Sequence, residues 1–177
     1  MGNNYNSKEI HWIREFYPGA EELKPKELNH VLAFGIIWNI FEGVLTEISE
    51  KGSFYQKFDR ALKVYLRKFN KEEFEDEFNY FSRRYQNQNI KKSLNFREGK
   101  KYQEEEKACK LVSNSLQKGN FKEIPTEEII QCLIYLTYRL RNNLFHGLKP
   151  FISLPAQNEN FKNSNSVLIK FIDTIKR

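Results

Sequence analysis

The sequence predicts an all-α protein, a single-domain helical bundle of about six to seven helices spanning residues 1–177. Three observations lead there. Apolar residues recur at steps of three and four almost throughout. No segment alternates apolar and polar residues between turn signals, as a half-buried strand would. No linker, internal repeat or low-complexity tract divides the chain. A length of 177 residues suits one domain, and 15 Phe, 9 Tyr and 2 Trp supply a core despite the 29% charged residues.

The elements follow in order. Ile10, Ile13 and Phe16 mark a short first helix that Pro18 and Gly19 close. Pro25 opens a long second helix that ends at Gly52. Its Leu28, Leu32, Trp38, Phe41, Leu45 and Ile48 cover most of its circumference, which implies a central position. Ser53 and Gln56 have capping-box spacing at the start of a third helix, with Phe58, Leu62, Tyr65 and Phe69 on one face. Asn70 and Glu73 start a fourth, whose row of Phe74, Phe78, Phe81 and Tyr85 reads as core sooner than as a base-stacking platform. Residues 86–99 hold few apolar side chains and read as a basic loop or frayed helix. Another helix runs from about Gly99 to Leu116, closed by Gly119. Pro125 and Thr126 introduce a strongly apolar helix, TEEIIQCLIYLTYRLRNNLFHG, with Glu127 and Glu128 at its positive dipole end. A polar connection around Pro150 and Pro155 leads to a last helix ending with Phe171, Ile172 and Ile175.

Several function classes are disfavoured. The longest apolar run, 31–45, is interrupted by Asn39 and Glu42 and falls short of the roughly 20 residues needed to cross a bilayer, so no membrane span is expected. The start, MGNNYNSKEI, lacks the apolar stretch of a signal peptide, and Asn6 stands where myristoylation wants Ser or Thr; a cytoplasmic protein is the expectation. Cys109 and Cys132 lie within helical patterns, as buried reduced thiols do. His11, His30 and His146 are far apart and no Cys pairs accompany them, so no metal or other cofactor is expected.

Charge is unevenly spread. Residues 1–50 carry 4 basic and 8 acidic side chains, whereas 83–101, RRYQNQNIKKSLNFREGKK, carry 7 basic and 1 acidic. Arg83, Arg84, Lys91, Lys92, Arg97, Lys100 and Lys101, interleaved with Tyr85, Phe96 and several amides, are what an RNA backbone with stackable bases attracts. A solvated loop has the same composition.

The order of residues at the end of the apolar helix carries the most chemistry: Y-R-L-R-N-N-L-F-H-G-L-K at 138–149. Arg141 and His146 are five apart, about 140° on an unbroken helix, and would not face one point. Gly147 suits the left-handed position that ends a helix, which puts His146 in or just past the final turn, free to turn back. Asn142 and His146, four apart, share a face. The same residues also make an ordinary helix end, because histidine complements the negative dipole end and Asn and Gly are common terminators.

R-N-N-L-F-H-G resembles the motif of the HEPN superfamily, helical-bundle proteins marked by Arg, four to six residues, then His, often with Asn after the Arg. Arg141, Asn142 and His146 match; Arg139 also stands at the longer allowed spacing. The aromatic-rich stretch F-G-I-I-W-N-I-F-E at 34–42 resembles the helix that packs beside the motif. The resemblance covers about residues 28–177. It implies a metal-independent endoribonuclease with a site assembled across a homodimer, commonly a toxin or antiviral defence effector, sometimes paired with an antitoxin. Some family toxins are modified by a nucleotidyltransferase antitoxin on a tyrosine two residues past the motif histidine; Leu148 occupies that position here. A second reading is a non-catalytic HEPN-like dimer that holds RNA or nucleotide. The residue types fit cleavage on their own terms: transesterification through the 2′-hydroxyl needs a proton acceptor, a proton donor and a cation on the phosphate, and histidine and arginine supply these. Asn39 and Glu42, three apart among apolar neighbours, need a partner, for which Arg141 is a candidate; an open, solvent-facing strip is the alternative.

Overall fold

The computed structural model describes residues 8, 11, 12, 15, 28–118, 120–146 and 153–176. In chain order its helices are α1 (Asn29–Ile48), α2 (Phe54–Tyr65), α3 (Glu75–Tyr85), α4 (Ile90–Ser93), α5 (Gln103–Lys118), α6 (Thr126–Phe145) and α7 (Asn158–Lys176), and no strand occurs among the described residues. The expected all-helical bundle is thus what the chain forms. Lys8, His11, Trp12 and Glu15 are helical and exposed, while Pro18, Gly19, Pro25, Gly119, Gly147 and Pro150 lie outside the described residues.

Centrality passes from the second predicted helix to the sixth. In α6, 12 of 20 residues are buried, against α5 on one side and α7 on another. α1 packs along α7 and buries Val31, Phe34, Trp38, Phe41, Val44 and Leu45, but it leaves Leu32, Ile36 and Ile40 open. Those three recur at steps of four and form one exposed stripe among the described residues. By length and composition alone α1 would suffice to cross a membrane, a test that a core helix also passes, and Asn29, His30, Asn39, Glu42, Thr46 and Glu47 interrupt it. Here its inner face packs within the bundle.

Rings join the helices. Phe171 of α7 meets Phe41, Phe58 and Phe69 at 5.1–5.5 Å between centroids. Trp38 of α1 meets Phe41, Phe54 and Tyr138 at 5.3–5.9 Å. Each such pair adds about 0.5–1.5 kcal/mol beyond its buried area. Phe74, Phe78, Phe81 and Tyr85 are all buried, as core.

Local signals hold with adjustments. The Ser53 hydroxyl accepts from Gln56 N–H at 3.3 Å, but the Gln56 side chain leaves the capping box for Glu104. α1 stops at Ile48 rather than Gly52. Gly52 has φ +112°, and a Cβ there would sit 2.7 Å from both Arg60 and Gln56, so the turn into α2 requires glycine.

The stretch 86–99 is neither loose nor frayed. Asn89 caps the short helix α4, and Ile90, Leu94 and Phe96 are buried. Asn87 and Asn95 take positive φ, which asparagine tolerates. Three buried apolar residues, too few to make a sustained helical period, pin the segment.

Candidate functional site

The last turns of α6 present two arginines to two different environments. Arg139 is 2% exposed. Its Nη1 donates to Glu105 Oε2 at 3.0 Å, its Nε to the Leu94 carbonyl at 3.2 Å and its Nη2 to the Asn95 carbonyl, with the Phe96 ring 5.2 Å from the guanidinium carbon. Asn143, one turn on, donates to the Leu94 carbonyl at 3.3 Å and accepts from the Asn95 side chain at 3.3 Å. The other oxygen of Glu105 accepts from Arg97 Nε at 2.8 Å. Arg139 and Asn143 therefore clamp the 94–97 segment to α6, and the Arg139 guanidinium has all three nitrogens engaged.

Arg141 is built differently. Its Nη1 donates to Asn142 Oδ1 at 3.2 Å, and its carbon lies 5.1 Å from the Phe145 ring and 5.8 Å from the Trp38 ring. No carboxylate among the described residues pairs with it. Arg141 Nε and Trp38 Nε1 are both buried without an acceptor. An unmet buried donor costs about 1–3 kcal/mol, so this corner of the protein suits an incoming acceptor oxygen. Of the two candidate arginines, Arg141 is the one with a buried nitrogen that has no acceptor.

His146 is the C-cap of α6 and is exposed, with its backbone N–H on the Asn142 carbonyl at 3.0 Å. Its φ of −94° and ψ of 11° lie outside the α-helical region, as at a helix end, and no side-chain hydrogen bond joins it to Arg141. Asn142 is buried between them in sequence and touches Arg141. One chain therefore bonds Arg141 to Asn142 and makes no such bond from Arg141 to His146.

Glu42 is half-buried and Asn39 exposed, and neither bonds to Arg141. Glu42 instead lines a hollow of about 260 Å³ with Leu45, Thr46, Phe54 and Lys57. The solvent-facing alternative describes Asn39.

Of the seven basic residues, Lys91 and Arg97 are ion-paired. Arg83 bonds the Asn79 carbonyl at the end of α3, where Arg84 is also exposed. Lys91 pairs with Glu98, and Arg97 with Glu105. Lys92, Lys100 and Lys101 remain exposed without a carboxylate partner among the described residues. Both cysteines are free thiols, Cys132 buried and Cys109 half-buried. Among the described residues no group of three or more His, Cys, Asp or Glu side chains is placed to hold a metal.

Two features near the motif had no clear sequence signal. The exposed stripe Leu32, Ile36 and Ile40 runs on α1, where Ile36 is 69% exposed. A Cβ on neighbouring Gly35 would lie 3.9 Å from Phe145, so exposed Phe145 stands beside α1 and carries the apolar surface to the motif. The second feature is a pocket floored by Phe54 and Tyr138, near Tyr55, described below. Comparison of the chain with known protein families, curated proteins and solved structures finds no match.

Proposed function

We propose that this protein is a HEPN-type, metal-independent endoribonuclease. The observation that carries the reading is the pair of buried, acceptorless donors, Arg141 Nε and Trp38 Nε1, at a helix end that also bears Asn142 and an exposed histidine. A phosphate oxygen supplies the acceptor that both donors lack, and a guanidinium holds its charge while negative charge builds on the phosphate. His146 removes the proton from a ribose 2′-hydroxyl. The 2′-oxygen bonds to the adjacent phosphorus, the bond from phosphorus to the 5′-oxygen breaks, and a second acid protonates the departing oxygen. The products are a 2′,3′-cyclic phosphate and a free 5′-hydroxyl.

One chain supplies one motif histidine. A second copy supplies the other, and the apolar stripe Leu32, Ile36, Ile40 with Phe145 is the surface on which it docks, because that surface abuts the motif. Isologous contact across a two-fold axis then brings the two His146 side chains to one substrate. A role as toxin or defence effector, alone or under an antitoxin, accords with such chemistry.

The lack of a side-chain hydrogen bond between Arg141 and His146 within one chain favours a second reading, a non-catalytic dimer that binds RNA or nucleotide. One experiment separates the two. Purified protein is incubated with RNA and with the same strand carrying a single 2′-deoxy sugar at the cut site, each with and without EDTA. The proposal expects cyclic-phosphate ends from RNA in EDTA, no cut at the deoxy position, and loss of cleavage in His146→Ala with the dimer retained. Normal cutting of the deoxy strand, or a requirement for Mg²⁺ in the chemical step, overturns the mechanism; tight binding without cleavage selects the binder.

A further inference from the structure

A cavity of about 370 Å³ lies between the start of α2 and the segment leading into α5, with Tyr138 of α6 contributing to its wall. Its lining combines features that point to one kind of ligand. Phe54 and Tyr138 stack on one another at 3.9 Å and 11°, which makes this part of the wall aromatic. Arg97 lies over the Tyr102 ring at 4.2 Å, a second aromatic part of it. The N–H groups of Phe54 and Tyr55 open α2, a 12-residue helix whose first turn holds no acidic residue, so they have no partner within the helix. Lys100 and Lys101 line the same space and have no carboxylate partner among the described residues.

The cavity also contains two carboxylates, and both are committed. Glu105 is held by Arg97 and Arg139. Glu104 accepts from Gln56 Nε2 at 2.7 Å. Glu105 is paired with two guanidinium groups, and the remaining charge of Glu104 faces two lysines, Lys100 and Lys101, that line the same space.

The independent sign of a ligand is Tyr55. It lines the cavity and is only 7% exposed, yet its hydroxyl has no hydrogen-bond partner. The ring is fixed edge-on between Tyr135 at 5.1 Å and Tyr138 at 5.4 Å. Burial, with the Glu105 charge nearby, raises the phenol well above its ordinary pKa, so it stays a hydrogen-bond donor. A buried donor without an acceptor, beside free ammonium groups and a helix N-terminus, matches a phosphate oxygen.

We propose that this pocket binds a nucleotide, its phosphate held by the Tyr55 hydroxyl, Lys100, Lys101 and the α2 amides, its base stacked on the aromatic wall. The nucleotide is either free or part of an RNA strand. The pocket stands independently of the ribonuclease reading, since it shares none of Arg141, Asn142 and His146. It meets that helix at Tyr138 and through Glu105, which holds Arg97 over the pocket and Arg139 on α6.

The test uses the full chain, the Tyr55→Phe variant and the Lys100→Ala, Lys101→Ala double variant. Each is titrated with ADP and with a fully 2′-methoxy hexanucleotide that resists cleavage, by calorimetry and thermal shift. The proposal expects wild type to bind at least one probe and Tyr55→Phe to lose about tenfold in affinity, as a hydrogen bond to a charged oxygen is lost. The unliganded melting temperature of Tyr55→Phe should be unchanged or higher, because a donor without an acceptor has left the interior. The double lysine variant should bind more weakly with a flatter salt dependence. ADP binding identifies a free-nucleotide site; binding of the hexanucleotide alone identifies a strand site. Failure of both probes on wild type, equal affinities in Tyr55→Phe, or a Tyr55→Phe protein that melts lower without ligand overturns the proposal. A protein that cleaves RNA while Tyr55→Phe binds both probes normally loses this pocket and keeps the active site.

Discussion

Replacing Arg139 and Arg141 in turn by methionine, which keeps much of the side-chain volume, should give opposite results. Arg139→Met removes a guanidinium that is 2% exposed and engages Glu105 and the carbonyls of Leu94 and Asn95. Glu105 keeps Arg97, and the Leu94 carbonyl keeps Asn143, but the Asn95 carbonyl loses the only side-chain donor it has among the described residues. Breaking one partner of a buried pair costs about 3–5 kcal/mol. These surviving contacts put the loss at the lower end, about 3 kcal/mol. For a chain of this length that is about 6–12 °C in melting temperature, at about 2–4 °C per kcal/mol. Arg141→Met removes one weak contact to Asn142 together with a buried donor that has no acceptor, so the fold should change by less than about 1 kcal/mol while cleavage is lost. The assay is urea and thermal unfolding of each variant beside an RNA-cleavage time course. The reasoning fails if Arg139→Met melts within 2 °C of wild type, or if Arg141→Met is the less stable of the two.

Ile36→Glu with Ile40→Glu should leave each chain folded, at under about 0.5 kcal/mol per exposed site, yet give a monomer by light scattering that no longer cleaves RNA; a stable dimer would move the interface elsewhere. Neutralising Lys91, Lys92, Lys100 and Lys101 should weaken RNA binding and flatten its salt dependence, by about 0.7 in the log–log slope for each lost contact to single-stranded RNA; the turnover of saturating substrate should hold. An unchanged slope returns the stretch to a structural role. With a thiol reagent, native protein should expose at most Cys109, slowly, because burial raises its thiol as well; Cys132, wholly buried, should react only on unfolding. Two fast thiols in native protein would contradict the packing around α6.

The helices were legible because burial of a stripe leaves a period in the sequence: Phe74, Phe78, Phe81 and Tyr85 recur every three or four residues and are buried. The cap at Ser53 was legible for a similar local reason, one side-chain oxygen meeting an N–H three residues on. The motif residues could be named, since their order is a sequence property. Tertiary packing decided what they do. Arg139 and Arg141 are two positions apart and chemically identical, and only the fold places Glu105, Leu94 and Asn95 around the first and aromatic rings around the second. Leu32 and Trp38 are both apolar on one helix, and only the packing of Phe54 and Tyr138 from other helices determines that Trp38 is covered while Leu32 is not. Tyr55 carried no signal at all, because a lone phenol in a helix looks like core until its neighbours are seen to offer no acceptor. Local sequence specifies what each residue can bond and how it is spaced along a helix; which groups are left without a partner depends on contacts between residues 40–100 positions apart, and these exist only once the chain has packed.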